Sequence, residues 1–194
     1  KPNLDHVRIP SIPLVQEPML ETFGKLKEEG KVGHLTTFPY TPSFGRKALE
    51  TGSFSGLVAY YNLIEMEMAE FFSDLESQKQ GFLCIRPFMG GLITDNRVFR
   101  NRLPDGDRYR DIKWDTAYER LDILKSHFGD AIESWTQFAI KFCLCHPIVT
   151  SLIVGLNSTQ QVDRVFDAAD GDYPPQRVFE SAMEIFHNQG PIII

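Results

Sequence analysis

Three features are scarce in this sequence, and each scarcity excludes a class of protein. The 194 residues include only three cysteines, an odd and small number that argues against a disulfide-stabilised scaffold and fits a reducing cytoplasm. No run approaches the roughly 20 apolar residues of a membrane-spanning helix. Basic residues are outnumbered, with 20 Lys and Arg against 26 Asp and Glu and a net charge of -6, whereas a nucleic-acid surface needs clustered positive charge. We therefore expect a cytoplasmic protein with no membrane or nucleic-acid partner.

The residues that are abundant are those of an ordinary globular chain. Hydrophobic residues make up 42% of the sequence, which is enough for a sizeable core. The sequence opens with Lys1, Pro2 and Asn3, and it shows neither an initiator Met nor a signal-peptide pattern there. This opening leads us to expect a fragment of a longer protein.

Short apolar runs and helical periodicities alternate along the chain. The runs predicted as strands, each closed by turn-forming residues, are 4–9, 31–37, 54–61, 82–85 and 150–154. The segments predicted as helices are 16–29, 43–51, 65–79, 118–128, 131–145, 158–169 and 175–187. Residues 96–115 are polar and are predicted to form a long loop. This alternation predicts parallel βα units in a single domain over residues 1–194.

Two α/β folds compete for such a pattern. A doubly wound nucleotide-binding fold would place a glycine-rich turn after its first strand, and no such turn follows residues 4–9. A (βα)8 barrel takes about 250 residues and eight strands, so about three of its units would be missing here. We therefore expect a partial TIM (β/α)8 barrel of about five parallel βα units. Its open sheet edges would favour association with another chain.

Four segments, in order along the chain, carry a family resemblance. They are LKEEGKV at 26–32, YNL at 61–63, RPFMGGL at 86–92 and the stretch containing CLCHPIVTSLIVGLNSTQQV within 139–162. Together they resemble the C-terminal portion of the aldo-keto reductase family. The resemblance implies strands four to eight of the family's barrel, without strands one to three.

The resemblance also implies an NAD(P)-dependent carbonyl/alcohol oxidoreductase whose catalytic groups are Asp, Tyr, Lys and His. The Tyr donates a proton to the carbonyl while nicotinamide delivers hydride. The Asp, Tyr and Lys belong to the part that the chain does not match. The His is expected near the end of residues 4–9, where Arg8 and Pro10 stand instead, and His6 is the nearest substitute. We therefore assign no catalytic residue in this chain.

The cofactor positions implied by the resemblance divide into two groups. The nicotinamide contacts fall on Phe38-Pro39, Val58 and Ile85, which cannot make the expected hydrogen bonds or stacking. The phosphate and adenine end is better kept, and weak binding of NAD or NADP is expected there. Its implied residues are Gly90, Gly91, Gly155, Asn157, Ser158 and Gln161. Asn157 stands where a basic residue would bind a 2′-phosphate, with Arg164 about one turn further on.

Other clusters have simpler interpretations. Cys143, Cys145 and His146 lack a second ligand pair, and the two cysteines fall on different helix faces, so no metal site is expected. The acidic residues Glu65, Glu67 and Glu70 are predicted to form a solvated helix face. The glycines at 90–91 also have a structural interpretation as the end of a strand.

Two functions from different classes remain open. One is the C-terminal portion of an aldo-keto reductase-like oxidoreductase that is inactive as this chain alone. The other is a non-catalytic binding or oligomerisation module derived from a reductase barrel, which would self-associate or be completed by a second chain.

Overall fold

The computed structural model describes residues 3–98, 103, 105–107, 110, 114–174 and 176–186. Seven α-helices lie within this part of the chain: α1 (Asp5–Glu28), α2 (Pro42–Glu50), α3 (Phe72–Ser77), α4 (Asp115–Phe128), α5 (Trp135–Leu144), α6 (Thr159–Ala168) and α7 (Gln176–Phe186). Its strands are β1 (Gly56–Tyr60), β2 (Gly81–Ile85) and β3 (Val149–Ile153). Short 3₁₀ helices cover Glu67–Phe71, Met89–Gly91 and Gly129–Ala131.

The three strands form one parallel sheet in the order β1-β2-β3. Gly56 pairs with Gly81 and Ile85 pairs with Ile153, with an irregularity in the β2–β3 register between Phe82 and Leu83. Parallel neighbours need crossover connections, and here helical segments lie between successive strands. The expected α/β class with parallel strands is confirmed.

One face of the sheet carries the core. Its buried side chains on β1 and β2 are Leu57, Ala59, Phe82 and Cys84. The Phe72 ring of α3 packs 5.0 Å from that of Phe82, and the Tyr61 ring stacks 5.7 Å from the Phe142 ring of α5. The side chains that alternate with them on β1 and β2 are only partly buried; they are Val58, Tyr60, Leu83 and Ile85.

The prediction of a strand at residues 4–9 is wrong, because these residues begin helix α1. An apolar run this short fits either structure, and the helix satisfies its backbone locally: the N–H groups of Val7 and Arg8 donate to the Leu4 carbonyl at 3.0 and 2.9 Å. The Thr41 hydroxyl donates to Asp5 Oδ2 at 2.7 Å and ties the helix start to the rest of the domain. The prolines that we interpreted as strand ends lie inside α1, which has no buried residue.

The second predicted strand is also reduced. Residues 31–37 make only an isolated parallel bridge, from Thr37 to Leu57. They therefore lie beside β1 without forming a regular ladder of hydrogen bonds with it. The helix predicted at 65–79 is divided between the 3₁₀ turn at Glu67–Phe71 and α3. The helix predicted at 131–145 begins only at Trp135, because the Ser134 hydroxyl accepts from the Gln137 N–H and caps it there.

The helix predicted at 16–29 forms only the C-terminal part of α1, which already begins at Asp5. The other predicted strands and helices are confirmed, with boundaries that move by a few residues. Parts of the predicted loop at 96–115 lie outside the described residues, namely 99–102, 104, 108–109 and 111–113, as do residues 1–2, 175 and 187–194. Within the described helices, none combines the length and apolar character needed to cross a membrane.

Candidate functional site

A cleft of about 840 Å³ opens at the carboxyl ends of β2 and β3. Its walls come from the segment after β2, from Gly106 and Asp107, and from the passage between β3 and α6. The carboxyl ends of parallel strands meet at one edge of a sheet, which is where α/β proteins bind ligands. The volume falls within the range of about 300–1,000 Å³ typical of small-molecule sites.

Five of the six residues expected at the phosphate and adenine end line this cleft: Gly90, Gly91, Gly155, Asn157 and Gln161. The sixth, Ser158, is the N-cap of α6, and its hydroxyl accepts from the Gln161 N–H at 3.3 Å. The Gln161 side-chain oxygen in turn accepts from the Asn157 N–H at 2.6 Å. Ser158 and Gln161 therefore satisfy backbone donors at the start of α6.

The glycine pair forms a turn that needs glycine. Gly90 has φ 66° and Gly91 has φ 94°, values that other residues adopt only at a cost. A β-carbon on Gly91 would lie 3.2 Å from Nη1 of Arg97. Gly155 is different, because a β-carbon there would meet nothing within 4 Å. The fold thus requires glycine at position 91 but not at 155.

Asp95 fixes the loop that carries these glycines. Its Oδ1 accepts from the Trp135 and Thr136 N–H groups at 2.6 and 3.3 Å, and its Oδ2 accepts from the Ser134 hydroxyl at 2.9 Å. Burial alone would raise the pKa of Asp95, but the hydrogen bonds from Thr136, Ser134 and Trp135 hold it below its usual range. The loop is thereby attached to the first turn of α5.

Arg97 lies over the glycine turn and pairs with Asp107. The Asp107 side chain is only 6% exposed, so the ion pair is largely shielded from solvent. Both residues line the cleft. They connect the segment after β2 to the described part of the following loop.

Arg86 is held rigidly at the point where β2 ends. Its backbone has φ 66°, which is uncommon for a non-glycine residue and characteristic of functional or tightly constrained positions. Its guanidinium lies 5.0 Å from the Tyr60 ring centroid and 5.7 Å from that of Trp114. Its Nη1 donates to Glu65 Oε1 at 3.4 Å, and its carbonyl accepts from Asn62 Nδ2 at 3.1 Å.

Glu65 is buried, which corrects the prediction of a solvated acidic face. The turn after β1 directs it inward, because Asn62 Oδ1 accepts the N–H groups of Ile64 and Glu65 at 3.1 and 3.0 Å. Asn62 Nδ2 also donates to Glu65 Oε2 at 2.7 Å. Burial raises the pKa of Glu65, and the nearby Arg86 charge and the Asn62 hydrogen bond oppose that rise. Of the three acidic residues, Glu70 is the one that faces solvent, where it pairs with an exposed arginine.

The carboxyl end of β1 has a different character. The Phe38 ring makes edge contacts with Tyr40 and Tyr60 at centroid distances of 4.5 and 5.2 Å. We call these three residues the aromatic cluster. Pro39 beside it is buried and has no N–H group to offer. The residues expected to face nicotinamide thus supply rings and aliphatic groups in place of amides.

Two further expectations concern His6 and the cysteine–histidine group. His6 is exposed on α1, so a role at the end of a strand is not available to it. The Cys143 thiol lies 3.6 Å from the Tyr61 carbonyl oxygen, and the His146 ring packs 4.6 Å from Phe72. Burial raises the pKa of Cys145 to about 11. Among the described residues, no group of three or more His, Cys, Asp or Glu is placed to hold a metal ion.

The sequence pointed to Arg164 at the adenine end, but it did not reveal the other charged walls of the cleft. Arg86, Arg97 and Arg164 all line it, together with Asp107. Arg86 stood in the RPFMGGL motif, directly after a predicted strand and before a proline. That placement of a charged residue at a strand end was the available signal. The pairing of Arg97 with Asp107 has no comparable signal, because the two residues are ten positions apart in a polar loop.

Comparisons with known proteins agree on one relationship. No curated protein sequence matches significantly. Among solved structures, aldo-keto reductase AKR11C1 from Bacillus halodurans in its apo form superposes with a TM-score of 0.66 at 20% identity, covering 86% of this chain and 55% of the other. The glycerol dehydrogenase AKR11B4 from Gluconobacter oxydans gives a TM-score of 0.65 at 19% identity, covering 100% of this chain and 58% of the other.

This chain therefore spans little more than half the length of the structures that it resembles. At these identities the superpositions establish a shared fold. The sequence profile described as "Aldo/keto reductase family" matches residues 4–180, which is most of the chain. The chain belongs to the aldo/keto reductase family.

Proposed function

We propose that this chain is a portion of an NAD(P)-dependent aldo/keto reductase-type oxidoreductase, and that its cleft binds the phosphate and adenosine part of the cofactor. The observation that carries the proposal is the convergence of Gly90, Gly91, Gly155, Asn157 and Gln161 on one cleft. In sequence these residues lie in two segments more than 60 positions apart. Their meeting at the ends of two parallel strands matches the usual position of a nucleotide in α/β folds.

The chemistry of this end of the cleft suits a pyrophosphate. The Gly91 N–H already donates to the Phe88 carbonyl at 2.8 Å, so the glycines contribute room for close approach more than hydrogen-bond donors. Arg86 and Arg97 place guanidinium groups in the cleft, although each already pairs with one carboxylate, Glu65 and Asp107 respectively. Arginine suits phosphate because its donors form a planar fork. The first turn of α6 adds a favourable dipole.

The other end of the cofactor does not fit. When bound, the cofactor supplies hydride for carbonyl reduction, and this requires a held nicotinamide. Phe38, Pro39, Val58 and Ile85 offer no side-chain group that could hydrogen-bond a carboxamide. We therefore propose that the chain by itself does not reduce carbonyl compounds.

Two assays test these statements separately. Calorimetric titration of the purified 194-residue chain with NADPH and NADH is expected to give measurable but weak binding. A spectrophotometric assay of NADPH oxidation with a simple aldehyde is expected to give no turnover above a blank without protein. An absence of binding removes the cofactor proposal, and measurable turnover removes the proposal of inactivity.

A second candidate function is a non-catalytic binding or oligomerisation module. It is supported by the edge of the described sheet, where β3 pairs with β2 alone and where Ile153 is 51% exposed. Phe166 of α6 is 72% exposed. Apolar surface beside an open strand edge favours association, so we propose self-association or completion of the barrel by another chain.

Both proposed functions assume the same architecture for the chain. Residues 1–194 would form one domain of about five βα units from a TIM barrel, working in the cytoplasm, where the three free thiols Cys84, Cys143 and Cys145 stay reduced. Native mass spectrometry and sedimentation test the association. A single monodisperse species near 22.2 kDa would contradict it.

A further inference from the structure

The cleft has two chemically distinct ends. Toward α6, the apolar side chains of Leu156 and Val165 accompany Gln161 and Arg164, a mixture suited to a purine ring and its ribose. Toward β1, the wall is formed by Arg86. The glycine turn at 90–91 lies in the segment that follows Arg86 and lines the cleft with it.

Arg86 terminates the cleft as a fixed cation. Its guanidinium lies 5.0 Å from the ring centroid of Tyr60 and 5.7 Å from that of Trp114, and its backbone carbonyl accepts a hydrogen bond from Asn62 Nδ2. Toward the described residues, its side chain makes one hydrogen bond, the 3.4 Å contact with Glu65. A guanidinium has five N–H donors, so this one retains capacity for an anionic group in the cleft.

The surface past Arg86 is unsuitable for nicotinamide. In the aromatic cluster there, the Phe38 ring already makes edge contacts with the two tyrosine rings. The adjacent residues Val58 and Ile85 are aliphatic. An oxidised nicotinamide ring is a cation, and here it would lie beside the Arg86 guanidinium. Extending a ligand beyond its second phosphate therefore meets no side-chain amide at Phe38, Pro39, Val58 or Ile85. It also places the oxidised ring's positive charge beside that of Arg86.

We infer that the cleft recognises adenosine diphosphate as a complete ligand, with its terminal phosphate on Arg86, and that a nicotinamide group adds nothing to the binding. The inference rests on the proposed function, because it takes the same cleft to be a phosphate site. An unesterified terminal phosphate carries close to two negative charges near neutral pH, as phosphate monoesters do. The corresponding phosphate of a dinucleotide is a diester with one charge, so ADP makes the stronger pair with Arg86.

Calorimetric titration of the 194-residue chain with ADP, AMP, NAD⁺ and nicotinamide mononucleotide tests this assignment. ADP is expected to bind at least as tightly as NAD⁺ and about tenfold more tightly than AMP, as for the loss of one charge-assisted contact. Nicotinamide mononucleotide is expected not to bind. Arg86→Gln should abolish the preference for ADP over AMP, whereas Arg46→Gln, at an exposed arginine paired with Glu70 outside the cleft, should preserve it.

The outcomes separate this inference from the proposed function. NAD⁺ binding about tenfold more tightly than ADP would overturn the inference while leaving the cofactor proposal standing. Absence of binding by both ADP and NAD⁺ would remove both. A folded Arg86→Gln protein, judged by circular dichroism, that keeps the tenfold preference for ADP over AMP would also overturn it. If that variant does not fold, the comparison of ADP with NAD⁺ on the unaltered chain decides.

Discussion

The carboxyl ends of β2 and β3 and the carboxyl end of β1 are neighbours in one sheet, yet they offer a ligand opposite chemistry. The first region has a glycine turn, three arginines and the start of α6 around a cleft. The second has the aromatic cluster of Phe38, Tyr40 and Tyr60. Arg86 lies on the boundary, where it lines the cleft and packs against Tyr60. The proposed phosphate site thus ends where the aromatic cluster begins.

The two regions differ in what maintains their shape. The glycine turn is maintained by backbone conformation and by the hydrogen bonds of Asp95 to α5. The same contacts that stabilise the fold therefore keep the shape of the turn. Recognition of a carboxamide depends instead on single side chains. The positions concerned here, Val58 and Ile85, carry aliphatic side chains. The proposed site therefore depends on backbone shape at the glycine turn and on individual side chains at these two positions.

The largest expected effect comes from filling the glycine turn. Gly91→Val places a β-branched residue at φ 94° with its β-carbon 3.2 Å from Arg97 Nη1. We expect more than a tenfold loss of ADP affinity in calorimetry, with a stability cost of about 1–2 kcal/mol from the backbone conformation alone. Gly33→Ala is the control, because a β-carbon there meets nothing within 4 Å. Equal binding by the two variants would mean that the turn is not part of the site.

Removing the anchor of the loop should have the next largest effect. Asp95→Ala deletes the acceptors for Trp135, Thr136 and Ser134, and we expect a loss of about 1–2 kcal/mol in the free energy of unfolding. The control is Glu119→Ala at an exposed position of α4.

The pH dependence of stability, compared between the unaltered chain and Asp95→Ala, tests whether the Asp95 carboxylate causes the difference. The pKa of Asp95 is lowered in the folded state, so its contribution is fully present above the ordinary aspartate pKa of about 3.9 and is lost as the pH falls through the lowered value. Thermal melts of the unaltered chain and Asp95→Ala should therefore converge only in strong acid. A gap that is the same at every pH would contradict this account.

A smaller effect is expected at the far side of the cleft. Arg164 is exposed on α6 and lines the cleft near Asn157. If the cleft at the carboxyl ends of β2 and β3 binds a 2′-phosphate, Arg164→Gln should weaken binding of adenosine 2′,5′-diphosphate. The expected loss of affinity is about two- to fivefold, as for an exposed charge pair. Binding of 5′-ADP should change less. An equal loss for both nucleotides would assign Arg164 to general attraction and not to the 2′ position.

The smallest expected effect lies on the boundary itself. The pKa of Glu65 is raised by burial, so its ionisation opposes folding: relative to Glu65→Gln, the unaltered chain should be most stable below the ordinary glutamate pKa of about 4.3. That advantage should decline as the pH rises through the raised value. Melting temperatures between pH 4 and pH 8 measure the trend, and the exposed Glu70→Gln provides the control. A trend of the opposite sign would show that the Arg86 charge outweighs burial.

The sequence predicted the parallel strands and the two segments that form the cleft, because both depend on local signals. Apolar runs closed by turn residues specified β1, β2 and β3, and the glycines at 90–91 and 155 marked the passages that follow β2 and β3. The prediction of a strand at residues 4–9 was wrong, because an apolar run this short does not distinguish a strand from a helical turn. Local signals could not predict contacts between side chains that are far apart in the sequence.

Burial and pairing at the boundary are the clearest cases. Nothing in the order of residues indicates that Glu65 turns inward to Arg86, since the cause is the Asn62 side chain folding back onto its own turn. The position of Arg86 between Tyr60 and Trp114 likewise depends on three separate segments meeting in space. These tertiary contacts define the end of the cleft beside β1, and only the structure shows them.

The most direct test of the two-region account is to map ADP binding on the ¹H–¹⁵N spectrum of the 194-residue chain. We predict that saturating ADP shifts the backbone amide signals of Gly90, Gly91, Gly155 and Asn157 and the side-chain signals of Arg86. The amides of Phe38 and Val58 should stay in place. Shifts concentrated at Phe38 and Val58, or ADP binding that leaves the glycine amides unchanged, would contradict the assignment of the phosphate site to the carboxyl ends of β2 and β3.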